Sequence, residues 1–255
     1  MTGVSADQDR RLGQEAFRPV TNPYHAGRPL ETASHLFVGH KDVFDFIEEN
    51  ISGGLQANVL VLIGQRRTGK TSLLKQLPVR LGARYVSVYI DGQRLGIDPG
   101  MANLFYGLSR TIARGMRERD IEVTVPSRAE YEAAPAETFE ERFLAEVQGA
   151  LGERRLVLAF DEFEELEARV REGRLDPTVF PYLRHLMQHS DKLAFVFVGT
   201  HKLQELSSEY WSIFFNIALH RDIRFLDEDA ARRLITEPVA GAITYDDLAI
   251  ESILD

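Results

Sequence analysis

The sequence predicts an α/β protein, a parallel sheet of about five strands flanked by helices and followed by the start of a helical lid. Three observations carry that expectation. Apolar runs rich in β-branched residues recur along the chain, and helical patterns separate them. The first run opens directly into a glycine-rich turn, Gly64-Gln65-Arg66-Arg67-Thr68-Gly69-Lys70-Thr71. Strands buried on both faces read as continuous apolar runs, whereas half-solvated strands alternate.

In chain order, residues 1–20 are polar and aperiodic and are expected to form a mobile arm. Residues 21–226 should form the core, and 227–255 the beginning of the lid. Thr21-Asn22-Pro23-Tyr24 and Gly27-Arg28-Pro29 make a turn-rich approach to Leu36-Phe37-Val38-Gly39-His40. A helix is expected from Lys41 to Ile51, with Val43, Phe44, Ile47 and Ile51 on one face. Ser52-Gly53-Gly54 ends it, and Asn58 to Ile63 form the first strand. A helix begins with Ser72-Leu73-Leu74. The second strand is Tyr85 to Asp91, followed by a helix over 101–118, an irregular loop over 119–135 and a helix over 137–151. Arg155 to Phe160 make the third strand, helices fill 162–189, and Leu193 to Val198 make the fourth. A short fifth strand is placed at Ile223-Arg224-Phe225. Asp227 and its acidic neighbours cap a helix over Ala230 to Thr236, and Tyr245-Asp246-Asp247 cap another over Leu248 to Leu254. The chain stops within an element, so a domain cut from a longer protein is expected.

The bulk properties narrow the function. Of 255 residues, 44% are apolar and 27% charged, ordinary for a soluble globular chain. No apolar run approaches the roughly 18 residues of a membrane span. The N-terminus lacks the apolar stretch of a signal peptide, so the expected location is cytoplasmic. There is no cysteine, which excludes disulfides, zinc-thiolate sites and thiol catalysis. A net charge of −9 argues against a surface that is basic overall. Arg110, Arg114, Arg117 and Arg119 fall near one helix face, where a solvated face is favoured over a nucleic-acid patch.

Residues 64–71 satisfy G-x-x-x-x-G-K-[ST], between a buried strand and a helix, the context in which this pattern binds phosphate. Gly64 and Gly69 let the backbone turn sharply. The N–H groups of Gln65, Arg66, Arg67, Thr68 and Ser72 then complete a cradle at a helix N-terminus. Lys70 is expected to reach the β- and γ-phosphates and the Thr71 hydroxyl to bind Mg²⁺. The apolar strand Leu156 to Phe160 runs into Asp161-Glu162, the Walker B pattern. Asp161 would hold the Mg²⁺ shell, and Glu162 would orient and deprotonate the attacking water. Glu164 and Glu165 extend the acidic run and are read as solvated helix positions.

Strand four ends at Gly199-Thr200-His201. Thr200 and His201 are candidates to sense the γ-phosphate, and capping the next helix is the alternative. Arg221 and Arg224 are candidates to complete a neighbouring subunit's site, against a default of ordinary surface arginines. Three features mislead. Ile51-Ser52-Gly53-Gly54-Leu55-Gln56 has the look of a transporter-ATPase signature but precedes the phosphate loop. Thr200-His201-Lys202-Leu203 lacks the aspartate of a guanine-reading motif, which favours adenine. His185 and His189 are spaced like metal ligands but lack the glutamate of a zinc-protease motif.

With those residues in place, the chain resembles the AAA+-related ATPases of the STAND group, in particular their bacterial and archaeal AAA-like branch. The likeness rests on Asn22-Pro23-Tyr24, Phe37-Val38-Gly39, Gly64 to Thr71 and Phe160 to Glu162. It continues through Phe197 to Thr200, Phe214-Phe215-Asn216 and Ile235 to Val239, so that it covers about residues 21–255. The resemblance implies that Phe37, Val38 and Gly39 help form an adenine pocket. Family members commonly carry arginine at the position of His40. It also implies a lid that continues into a Gly-x-Pro segment and a winged helix beyond the residues seen here.

The favoured function is Mg²⁺-dependent binding and slow hydrolysis of ATP, with ATP and ADP holding different states of a signalling switch. An AAA+ motor or loader acting on nucleic acid is the alternative, and the acidic balance weighs against it. A nucleotide-binding interaction module with little turnover is the third. Self-association through the core is left open, as is the identity of any effector. No membrane partner is expected.

Overall fold

Six apolar residues in succession, Val59–Gly64, place β1 where no water reaches either face, and every residue of this strand is buried. The structure, a computed structural model, describes residues 21–25, 27–52, 58–95, 98–200 and 217–254. The expected arm over 1–20, His201, and Phe214 to Asn216 lie outside them.

Helix α1 (Lys41–Ser52) precedes β1, and α2 (Lys70–Arg80) follows it. Next come β2 (Tyr85–Asp91), α3 (Met101–Arg117) and the short α4 (Arg128–Ala133). Then α5 (Pro135–Glu137), a π-helical stretch over Thr138–Leu144 and α6 (Ala145–Ala150) lead to β3 (Arg155–Asp161). Helices α7 (Glu164–Arg171) and α8 (Val179–His189) separate β3 from β4 (Leu193–Gly199), and β5 (Leu219–Ile223) is the last strand.

The five strands lie in the order β2-β3-β4-β1-β5, and all neighbouring pairs are parallel. The chain leaves β1 for the far edge and works back, so β4 is inserted between β1 and β3. Ligand crevices of open parallel sheets form beyond the strand C-termini where the order reverses. Alternation along β1 feeds two cores. Val59, Val61 and Ile63 join one with Phe105 of α3, Phe143 and Phe180 of α8. Leu60 and Leu62 join the other with Val43, Ile47 and Ile51 of α1 and Leu73, Leu74 and Leu77 of α2. Each such aliphatic or aromatic side chain contributes about 1.5–3 kcal/mol on full burial.

Three elements differ from the sequence reading. The fifth strand is Leu219–Ile223 and not Ile223-Arg224-Phe225. It pairs with β1 and its first four residues are exposed, so it is a polar edge strand without the apolar run of an interior one. The expected loop over 119–135 contains α4, whose start is a capping box. The Ser127 N–H and hydroxyl both donate to Glu130 Oε2 at 2.7 Å. The S-x-x-E signature of that box is present in the sequence. The helix over 137–151 is interrupted by i→i+5 winding at Thr138–Leu144.

Residues 227–254, with the described part of 21–28, form a second and smaller compact unit, and residues 29–226 form the larger one. In the smaller unit Asp227 caps α9 (Glu228–Thr236), its carboxylate accepting from the Ala230 N–H at 2.7 Å. Asp246 does the same for α10 (Asp247–Leu254) through the Ala249 N–H. The Tyr24 hydroxyl meets the last carbonyls of α9, Leu234 O at 3.1 Å and Ile235 O at 2.9 Å. Helix C-termini leave carbonyls without partners, and Tyr24 supplies a donor for two of them.

Candidate functional site

The turn from β1 into α2 is held open by its own backbone. Gly69 sits at φ 81°, ψ 12° as the residue before α2, a left-handed conformation that glycine adopts without steric cost. Arg67 is also left-handed, at φ 68°. Thr68 is buried, and its hydroxyl donates to Gln65 O at 3.0 Å, closing the loop from within. The Lys70 ammonium donates to Gly64 O at 2.9 Å and Gln65 O at 2.5 Å, so it folds back across the cradle. Gln65, Arg66 and Arg67 are exposed, while Thr71 is half-buried. The Ser72 hydroxyl accepts from the Leu30 N–H at 3.0 Å. Its side chain therefore anchors the segment before α1.

That segment brings the expected base pocket to the loop. Val38 is buried, Gly39 and His40 both have positive φ, and Phe37 packs edge-on against Phe44 with centroids 5.9 Å apart. A Cβ on Gly69 would lie 3.5 Å from His40 Nε2. Phe37 to His40 thus turn over the phosphate loop.

The acidic element is built by β3 and the turn after it. In the sheet Asp161 lies level with Asp91 of β2 and Val198 of β4. Asp161 is buried, and the Tyr89 hydroxyl donates to its Oδ2 at 3.1 Å. Burial, with the charge of Asp161, pushes the Tyr89 phenol well up and keeps it a donor. Glu162 is exposed and left-handed, with φ 49°, an uncommon state for a residue with a side chain. Gly92 explains how the turn fits. Its N–H donates to Asp161 O at 2.9 Å, and a Cβ there would meet Glu162 O at 2.4 Å.

The charges interact across the site. Burial lowers the Lys70 pKa, and Asp161, Glu164 and Glu162 oppose that in decreasing order. Partial desolvation raises the pKa of the Glu162 carboxyl, and Asp161 and then Glu164 raise it further. Glu164 corrects the sequence reading. It is not a solvated helix position, because its Oε2 is buried and has no hydrogen-bond partner among the described residues. Burial raises its pKa, and the backbone N–H groups of Glu164 and Thr200 partly offset that. Glu165 keeps 38% of its side chain exposed and lies 3.9 Å from the buried Arg169.

The structure therefore brings Lys70, Asp161, Glu162 and Thr200 to one sheet edge. The oxygen donors named for a magnesium ion, the Thr71 hydroxyl and the Asp161 carboxylate, are of the hard type that ion takes. Sequence reasoning missed Tyr89, Gly92 and Glu164. A polar-tipped aromatic and a glycine after a strand signal only a strand and a turn, and their role depends on β2 lying beside β3.

The other candidates are not gathered there. Arg221 pairs with Asp42 at 2.7 Å, and Arg224 is exposed. On the arginine-bearing face, Arg110 lies over the Tyr106 ring, Arg117 pairs with Glu122, and Arg119 donates to Pro78 O. Arg110 and Arg114 line a groove of about 790 Å³ along the free edge of β2, which reaches Thr71 at one end. His185 and His189 stack, and His185 Nε2 lies 3.3 Å from Glu140. Among the described residues no cluster of three or more metal-ligating side chains occurs, and no helix is long and apolar enough to cross a membrane.

Residues 54–206 match the family described as AAA domain. Among solved structures, a Walker-type ATPase of Pyrococcus abyssi is similar over 89% of this chain and 65% of its own, at 18% identity and a TM-score of 0.64. The ORC2 protein of Aeropyrum pernix, solved as ADPNP–ADP complexes, is similar over 84% of this chain and 54% of its own, at 12% identity and a TM-score of 0.50. At such identities the likeness shows the fold. The chain thus spans between about half and two thirds of the length of these relatives. No curated protein matches it.

Proposed function

The chain belongs to the AAA domain family, and from that premise we propose that it binds ATP with Mg²⁺ and hydrolyses it slowly, as a switch of the STAND type. The observation that carries this reading is the meeting of Lys70 with Asp161 and Glu162 at one sheet edge. Membership makes the chain an AAA-type P-loop ATPase domain that binds adenine nucleotide. Turnover, the metal, the switch and a cytoplasmic setting are the parts proposed.

In this reading the loop N–H groups and Lys70 take the β- and γ-phosphates, replacing the carbonyls of Gly64 and Gln65 as the partners of the ammonium. Phe37, Val38 and Gly39 hold the adenine. Mg²⁺, held by Thr71 and Asp161, would neutralise charge on the phosphates when bound. Glu162 accepts a proton from the attacking water, the role of a positioned general base. Thr200, at the end of the inserted strand, reports the γ-phosphate. Residues 29–226 act as the core and 227–255, with which residues 21–28 form one unit, as the beginning of the lid, with ATP and ADP favouring different states through contacts made by the γ-phosphate.

The test is ATP turnover per subunit against protein concentration. A self-contained switch gives slow turnover that does not change with concentration. Turnover rising steeply with concentration would replace this reading with an assembling machine in which Arg221 or Arg224 acts in trans. No turnover with ATP bound would leave a nucleotide-binding module.

A further inference from the structure

We propose that Glu164 is a second working carboxylate of this site, the acceptor that holds the attacking water between Glu162 and the end of β4. The inference rests on the hydrolytic reading above and adds a residue to it. Helix α7 shows why Glu164 is unlike its neighbours. Glu165 faces Arg169 and Glu167 pairs with Arg171, each one helical turn on. The residue one turn after Glu164 is Ala168, so the helix supplies no cation for it. Its Oε2 is nevertheless buried and, among the described residues, has no hydrogen-bond partner. Native structures seldom keep such an atom, because an unpaired buried carboxylate oxygen is costly. Where one persists in a ligand crevice, the missing donor belongs to what binds there.

The surroundings say which donor fits. Lys70, which marks the β- and γ-phosphates, feels Glu164 more strongly than it feels Glu162. The backbone N–H of Thr200, the residue after β4, bears on the same carboxyl group. Glu164 therefore shares the crevice of Lys70 with the residue that follows β4. An attacking water has two hydrogens. One passes to Glu162 as the water oxygen bonds to the γ-phosphorus and the bond to the leaving ADP oxygen breaks, its electron pair going with ADP. The other hydrogen stays on the product phosphate, and Glu164 Oε2 accepts its hydrogen bond throughout, which aims the oxygen lone pair at phosphorus.

The experiment compares wild type, Glu164→Gln, Glu164→Ala and Glu162→Gln for kcat, KM, affinity for a non-hydrolysable ATP analogue, and nucleotide-free melting temperature. Loss of the acceptor in Glu164→Ala lowers kcat by about 10²-fold, the effect of removing one preorganised polar contact, with analogue affinity within about threefold. Glu164→Gln, which keeps a carbonyl acceptor, falls between it and wild type. Glu164→Gln also raises the nucleotide-free melting temperature by about 2–4 °C, because a residue kept for function at a cost in stability gives stability back when neutralised. A purely structural role predicts the opposite, a lower melting temperature with kcat and affinity falling together, and that result overturns the proposal. Active wild type with unchanged kcat in Glu164→Ala also overturns it and leaves the ATPase reading intact. Wild type no faster than Glu162→Gln removes the ATPase reading and this role with it.

Discussion

The phosphate loop and the turn after β3 occupy the same edge of the sheet but hold their chemistry in different ways. The loop works through its backbone. Gly69 is left-handed, Thr68 closes the turn by donating to Gln65, and Lys70 lies across the carbonyls of Gly64 and Gln65. All of those partners lie within seven residues of sequence. The acidic turn works through side chains placed by distant parts of the chain. Asp161 is held by Tyr89, Glu162 is seated over Gly92, and Glu164 is turned inward toward Lys70 and Thr200. A site written in local spacing can be read from a motif. A site written in strand neighbours needs the sheet order first.

That contrast can be broken by substitution. The largest effect is expected at Glu162. Glu162→Gln should lower turnover by about 10²–10⁴-fold, the usual contribution of a positioned base, and leave nucleotide affinity intact in an equilibrium titration. Lys70→Ala should instead weaken ATP binding by about 10²-fold or more, since hydrogen bonds to charged groups contribute about 1.5–3 kcal/mol each. Calorimetric titration with ATP checks it.

Gly92→Ala probes how the acidic turn is supported. The added Cβ meets Glu162 O, so the β2 and β3 ends must part, at a cost of about 1–3 kcal/mol. Thermal unfolding should show that loss, with turnover falling further than analogue affinity. An unchanged melting temperature would mean that Gly92 does not hold the turn.

The smallest effect is a pH dependence. Burial raises the Glu164 pKa above its ordinary 4.5 in the folded chain, so the folded state binds that proton more tightly than the unfolded one. Its contribution to stability is complete below about pH 4.5 and is lost as pH rises through the folded value. Nucleotide-free Glu164→Gln should therefore melt close to wild type at low pH and increasingly above it as pH rises. A gap that stays constant with pH would contradict this ionisation.

Legibility in the sequence follows the same division. Val59 to Ile63, Leu156 to Phe160 and Leu193 to Val198 were readable because interior parallel strands are apolar throughout. Val43, Phe44, Ile47 and Ile51 were readable because one helix face is buried. Leu219 to Asp222 were not, since an exposed edge strand has no apolar signature. Glu164 was misread because its i+3 spacing from Asp161 shows an acidic run but not the left-handed turn at Glu162, which decides where the first turn of α7 points.

The most direct test of the central claim measures ATP affinity and ATP turnover together in Lys70→Ala and Glu162→Gln. The account predicts that Lys70→Ala loses both, while Glu162→Gln binds ATP like wild type and scarcely turns it over. Turnover retained in Glu162→Gln, or binding lost there as fully as in Lys70→Ala, would contradict the division of labour between the loop and the acidic turn.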